Sequence, residues 1–120
     1  MGHVSEGATA LLGLDGLVVL AHVRHGGELW ILVETTVSVM GCPGCGTRAT
    51  GHGRRRVAVR DLPVAGRPVV LVWAKRLWRC TEPECSTGTW SERHPGIGRR
   101  MSVTERARGL PLKPWRVADG

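Results

Sequence analysis

The chain contains no phenylalanine and no tyrosine, and its five tryptophans are the only aromatics. A core built on stacked rings is excluded, and in 120 residues little apolar volume is left for a conventional interior. No apolar run approaches the roughly 20 residues that span a bilayer. The first residues hold no basic stretch, and the apolar segment after them is broken by Gly13, Asp15, Gly16 and His22, so no secretory signal is read. Acids are scarce, ten against seventeen Lys and Arg, and they form no paired-carboxylate motif. No serine or cysteine sits in a nucleophile elbow, and no glycine-rich phosphate loop follows a strand pattern. Internal repeats and low-complexity tracts are missing too.

What the chain does hold is four cysteines in two pairs, Cys42-Pro43-Gly44-Cys45 and Cys80-Thr81-Glu82-Pro83-Glu84-Cys85. Thiolates spaced by roughly two to four residues in short turns suit a tetrahedral zinc, which has no redox chemistry and accepts four soft ligands. Two disulfides, or free thiols, are the competing readings. The chain reads as cytoplasmic, where disulfides rarely persist. A redox use of Cys42 and Cys45 would require a helix start beside a βαβ pattern, which the sequence does not offer. His52 and His94 stay open as replacements for a cysteine ligand. One structural zinc also answers the thin core, since such sites contribute roughly 10–16 kcal/mol of apparent binding energy in small peptides.

The net charge of +7 is unevenly placed. Residues 1–47 hold one base, Arg24, and four acids, whereas residues 48–120 hold sixteen bases and six acids. Between the cysteine pairs, nine Arg and Lys face a single acid, Asp61. A metal-pinned turn carrying a basic surface points to a polyanion, with double-stranded DNA the first choice. Arg54, Arg55 and Arg56, joined by Arg60, Arg67, Lys75, Arg76 and Arg79, are the contact candidates. Guanidinium groups pair with phosphates bidentately and read guanine edges in the major groove. The alternative is that alternate arginines merely line the solvent face of a hairpin.

Periodicity predicts a small β-rich domain, α+β at most. Residues 1–10 read as a frayed tail, and Leu11-Leu12-Gly13-Leu14 as a helical turn or an entry to the first strand. Leu17–Arg24 and Glu28–Val39 read as strands joined across His25-Gly26-Gly27. Arg54–Leu62 and Arg67–Arg79 read as a second hairpin, turning through Pro63 to Pro68 and returning Cys80 to the first cysteine pair. Trp30, Trp73 and Trp78 are core candidates, with base stacking the lesser option for Trp78. Asp61 is expected to cap its own turn. A short helix is predicted after Ser102, with Glu105 as capping-box partner, stopped by Gly109 and Pro111. The division that follows is 1–10 tail, 11–95 β-hairpin and zinc-finger domain, and 96–120 linker or poorly ordered tail.

In order, Cys42-Pro43-Gly44-Cys45-Gly46, His52-Gly53-Arg54-Arg55-Arg56, Arg60-Asp61-Leu62-Pro63, Gly66-Arg67-Pro68-Val69, Arg79-Cys80 and Cys85 resemble the N-terminal zinc finger of ISL-three-type insertion-sequence transposases. Leu11-Leu12-Gly13-Leu14 and Thr89-Trp90-Ser91-Glu92 share that pattern, so the likeness covers about residues 11–108. The resemblance implies a zinc-ribbon-like finger with Cys42, Cys45, Cys80 and Cys85 as ligands, one structural zinc, and recognition of an element's terminal repeats. It implies a bacterial, cytoplasmic, nucleoid-associated protein. In that family the finger precedes a helix-turn-helix segment and a catalytic domain with an Asp-Asp-Glu triad. No such domain is found by Gly120, and Gly109 to Trp115 depart from the pattern, so a truncated element and no enzyme activity are expected. The rival readings are a zinc-stabilised assembly module that self-associates, a non-functional remnant, and a metal hydrolase.

Overall fold

Gly26 and Gly27 take φ of 61° and 79°, the two positive angles that a two-residue type I′ hairpin turn demands. They fold strand β1 (Leu17–His25) onto β2 (Glu28–Thr35). Ala65 and Gly66, with φ of 50° and 77°, make the same kind of turn between β3 (Thr50–Val64) and β4 (Arg67–Arg79). The computed structural model describes residues 6–99 and 101–109. It has the small, mostly β architecture that the pattern predicts, with both hairpins in place.

The hairpins join into one sheet of order β1-β2-β4-β3, with β2 and β4 parallel. A fifth strand, β5 (Thr89–Ser91), pairs with the end of β4 nearest the cysteines. Parallel pairing follows from what each strand has to bury. Leu29, Ile31 and Val33 stand opposite Val69, Leu71 and Trp73 on one face, while Trp30 and Leu32 stand opposite Val70 and Val72 on the other. Strands apolar on both faces belong in the middle of a sheet.

The first face holds the core: Leu17, Val19, Ile31, Val33, Val59, Val69, Leu71 and Trp73, with Leu12 and Ile97 laid over them. Leu12 comes from helix α1 (Glu6–Leu12), formed where the sequence reading placed a frayed end and a single turn. Thr9 explains the difference, because its Oγ1 accepts the Val19 amide at 2.9 Å and ties the helix to β1. Residues 1–5 of that expected tail lie outside the described residues.

Packing continues past residue 95. Val103 bridges Arg60 in parallel, and Thr104 and Ala107 are buried. A one-turn 3-10 helix, Glu105–Ala107, replaces the expected α-helix, and its N-cap is Thr104 rather than Ser102. The Thr104 hydroxyl does not cap the turn. It donates to Asp61 Oδ1 at 2.7 Å, and Arg106 adds bonds of 3.0 and 2.6 Å to the two carboxylate oxygens. Asp61 lies within β3 rather than in a turn of its own, and its carboxylate anchors a distant segment to that strand. Residues 110–120, including Trp115, lie outside the described residues.

Glu92 closes the gap between β2 and β5. Its carboxylate accepts the Thr35 hydroxyl at 2.6 Å and the Arg76 amide at 2.8 Å.

Two predictions follow from these contacts. Burial by itself raises the Asp61 carboxyl, but Arg106 and then Thr104 outweigh it and hold the group below its ordinary value of 3.8. A lowered folded-state value means the contribution is full above the unfolded value and is lost as pH falls through the folded one. Asp61→Asn should cost about 2 kcal/mol at neutral pH. In urea melts its deficit should shrink below pH 4, whereas a constant deficit would discount the ion pair. Ala65 bears a positive φ that disfavours a Cβ. Ala65→Asn should raise stability by roughly 0.5–1 kcal/mol, read as a higher urea midpoint at unchanged slope.

Candidate metal centre and basic hairpin

The chain leaves β2, forms a tight turn over Cys42 to Thr47, and enters β3. The Cys42 amide donates to Thr47 O and the Gly46 amide to Cys42 O, both at 2.8 Å. At the other end β4 runs straight into Cys80, whose amide donates to Gly88 O at 2.9 Å. Because β3 and β4 pair from Thr50↔Arg79 onward, the two turns meet side by side. This places the Sγ atoms of Cys42, Cys45, Cys80 and Cys85 all within 4.8 Å of one another. Cys42 and Cys85 are 3.7 Å apart, and Cys45 and Cys80 3.6 Å. Tetrahedral zinc with Zn–S near 2.3 Å requires sulfurs about 3.8 Å apart, whereas a disulfide needs about 2 Å. The spacing fits four zinc ligands and no disulfide.

Each pair carries its own supporting donors. The Gly44 amide lies 3.3 Å from Cys42 Sγ, and the Thr87 amide 3.5 Å from Cys85 Sγ. The Thr47 hydroxyl lies 3.2 Å from Cys45 Sγ and the Thr87 hydroxyl 3.1 Å from Cys85 Sγ. Toward a thiolate those hydroxyls are the donors. They orient and stabilise ligand sulfurs as outer-shell groups do. The sequence reading missed both threonines. The signal was present, since each pair ends in Cys-x-Thr: Cys45-Gly46-Thr47 and Cys85-Ser86-Thr87.

The sulfurs do not ionise alike. Cys42 is lowered to about 6, chiefly by the Thr87 hydroxyl and against the effect of burial. Cys45 is also lowered, chiefly by the Thr47 hydroxyl. Cys80 receives the Glu82 amide, which lowers it, yet burial and the three neighbouring sulfurs together push it up to about 12. Like charges at this range exclude one another, so full ionisation of the set calls for a dication. The donor set fits zinc, and four thiolates leave no open coordination position.

Both histidines fall outside this group, whose members among the described residues are the four cysteines alone. His94 has each ring nitrogen engaged: Nδ1 accepts the Gly96 amide at 2.9 Å, so Nε2 carries the proton and donates to Asp15 O at 2.6 Å. His52 is exposed in a bulge of β3, where His52 and Gly53 are passed over between the pairs Gly51↔Trp78 and Arg54↔Arg76.

That bulge starts the basic run. Arg54 and Arg76 are directly opposed on one face, and Arg55 and Lys75 on the other, with Arg56 next along β3. Arg79 is exposed at the zinc end of the hairpin, and Arg67 is half-buried at its far turn. Arg60 needs correction as a DNA-contact candidate. It is 4% exposed and its Nη1 lies 3.2 Å from Glu28 Oε2, so a phosphate cannot reach it in this arrangement. Arg54 and Arg76 are partly neutralised by Glu34, at 3.6 and 3.9 Å. Trp73 and Trp78 are core residues as expected, while Trp30 is only half-buried. No helix among the described residues is long and apolar enough to cross a membrane.

Metal binding should depend on the turn as much as on the ligands. A Cβ at Gly44 would collide with the Thr87 hydroxyl, and Gly44→Ala is expected to weaken zinc affinity by about tenfold to a hundredfold in chelator competition. Cys80→Ser should end binding of one zinc per chain, and undiminished stoichiometry would remove it from the ligand set.

No curated protein and no solved structure matches the chain. A family model does match: residues 38–85 fit the zinc-finger of transposase IS204/IS1001/IS1096/IS1165. The matched stretch runs from just before the first cysteine pair to the last cysteine of the second, and thus spans the whole metal centre and the basic hairpin. Residues 38–85 are therefore similar to the zinc-finger of this transposase family, with four cysteines gathered at one site.

Proposed function

We propose that this chain binds duplex DNA at the terminal repeats of a transposable element, with zinc fixing the root of the β3–β4 hairpin and the hairpin's cations meeting phosphates. The observation that carries this reading is the adjacency of Arg54, Arg55, Arg56, Lys75 and Arg76 on a hairpin anchored directly in the metal turns. The transposase family of residues 38–85 supports nucleic acid as the polyanion. Binding without cleavage is the activity proposed, since a closed four-thiolate centre offers no position for a metal-bound water. A bacterial cytoplasm, at the nucleoid, is the compartment in which such a partner is met.

One observation favours self-association beside this. The second sheet face leaves an apolar recess of about 420 Å³ between Val23, Trp30, Leu32 and Val72.

The test is fluorescence anisotropy of the zinc-loaded chain against an element-end duplex and a random duplex across salt. Five phosphate contacts predict a log–log slope of about −4.5. Arg54→Ala/Arg56→Ala should flatten it by about 1.8. Preference for the element end supports repeat recognition, and equal binding reduces the reading to general basicity. Binding to neither duplex, with self-association kept, would favour the assembly reading.

A further inference from the structure

On the core face, the zinc-end half of the hairpin and the segment after β5 enclose a recess of about 530 Å³. Four cations line it: Arg55 and Lys75 from the hairpin, and Arg93 and Arg99 from the later segment. No acid lines it. The nearby Glu92 is turned to Thr35 and to the Arg76 amide. Among the described residues none of the four cations has a carboxylate within ion-pair distance, although Arg54, Arg60, Arg76, Arg106 and Arg108 all do.

This arrangement works against folding. Arg55 and Lys75 are directly opposed across an antiparallel pair, a placement that is destabilising for like charges. Lys75 is held below the usual lysine range, first by burial and then by Arg55, with Arg99 and Arg93 adding to the effect against Glu92. Its ammonium lies 5.0 Å from the Trp73 ring centroid, which offers only partial compensation. Trp73 also lines the recess, and its buried Nε1–H has no acceptor among the described residues. Convergent cations and an unmet donor describe a site shaped for an anion.

The remaining wall narrows the anion. Trp90 lines the recess and is half-buried, and an indole face accepts any base by stacking. The volume falls within the roughly 300–1,000 Å³ of small-molecule sites. In a duplex the bases are stacked inward, so base and phosphate cannot enter such a recess together. We propose that this recess binds one unpaired nucleotide of a DNA strand, its phosphate among Arg55, Lys75, Arg93 and Arg99 and its base against Trp90. The proposal rests on the DNA reading above for the nature of the polymer, and it adds a single-strand site on the core face that shares Arg55 and Lys75 with the duplex-contact set.

The test uses the zinc-loaded full chain, labelled octathymidylate, and the duplexes named above. Arg93→Ala/Arg99→Ala should weaken octathymidylate binding by about tenfold and flatten its salt slope by about 1.4. Zinc content and circular dichroism should be unchanged. Arg24→Ala/Arg108→Ala removes equal charge elsewhere and should cost less than about threefold. Thymidine 5′-monophosphate should compete with the strand, and thymidine should not. Equal losses in the two double variants, or competition by thymidine alone, would overturn the proposal. The outcomes also separate the two readings. Duplex binding without octathymidylate binding sinks the recess and spares the duplex face, whereas variant-sensitive octathymidylate binding without duplex binding does the reverse.

Discussion

Four sulfurs crowded within 4.8 Å repel one another as they ionise, and only a cation at their centre reconciles them. Much of the chain's geometry answers to that requirement. The first pair is set by a turn closed between Cys42 and Thr47, and the second is delivered by β4. Bringing the two together forces the intervening residues to go out and come back, which is the β3–β4 hairpin. The metal centre thus closes the root of the hairpin that carries the basic run, and β4 links that root to β2 and β5.

Away from the metal, the sheet is held by a modest apolar layer and by ionic contacts that replace the large rings the chain lacks. Glu28 and Arg60 pair on one face, and Asp61 gathers Thr104 and Arg106 on the other. Adjacent residues of β3 are therefore locked into opposite faces by partners that come from opposite ends of the chain. The same alternation divides the hairpin's cations. Arg54 and Arg76 share Glu34, whereas among the described residues Arg55 and Lys75 have no carboxylate within ion-pair distance. Two sides of one hairpin consequently offer different electrostatics to a polyanion.

The metal centre was legible because cysteine spacing is a local signal and zinc geometry leaves few alternatives. The hairpins were legible because Gly26-Gly27 and Ala65-Gly66 sit between runs with strand periodicity. Arg60 was misread for a physical reason: alternation assigns it a face but not a partner, and Glu28 stands 32 positions away in another strand. The packing of Thr104 and Arg106 on Asp61 is equally non-local, so the stretch after residue 95 offered little in its own composition. Helix α1 escaped notice because a seven-residue helix is stabilised by tertiary contacts such as Thr9 to Val19 rather than by propensity.

Glu92 shows how narrow the chemistry of a single position becomes in such a sheet. Its two oxygens receive two donors, the Thr35 hydroxyl and the Arg76 amide, at the place where β2 ends on Thr35 and β5 has just ended on Ser91. The carboxylate stands in for a missing length of strand. Glutamine has the same shape but only one accepting oxygen, so with that oxygen on the Arg76 amide its NH₂ would face the Thr35 hydroxyl, which would have to turn from donor to acceptor. Aspartate is a methylene too short to span both. At the join between metal-bound root and apolar body, one residue thus accepts twice through its side chain while its own amide donates to Arg76 O.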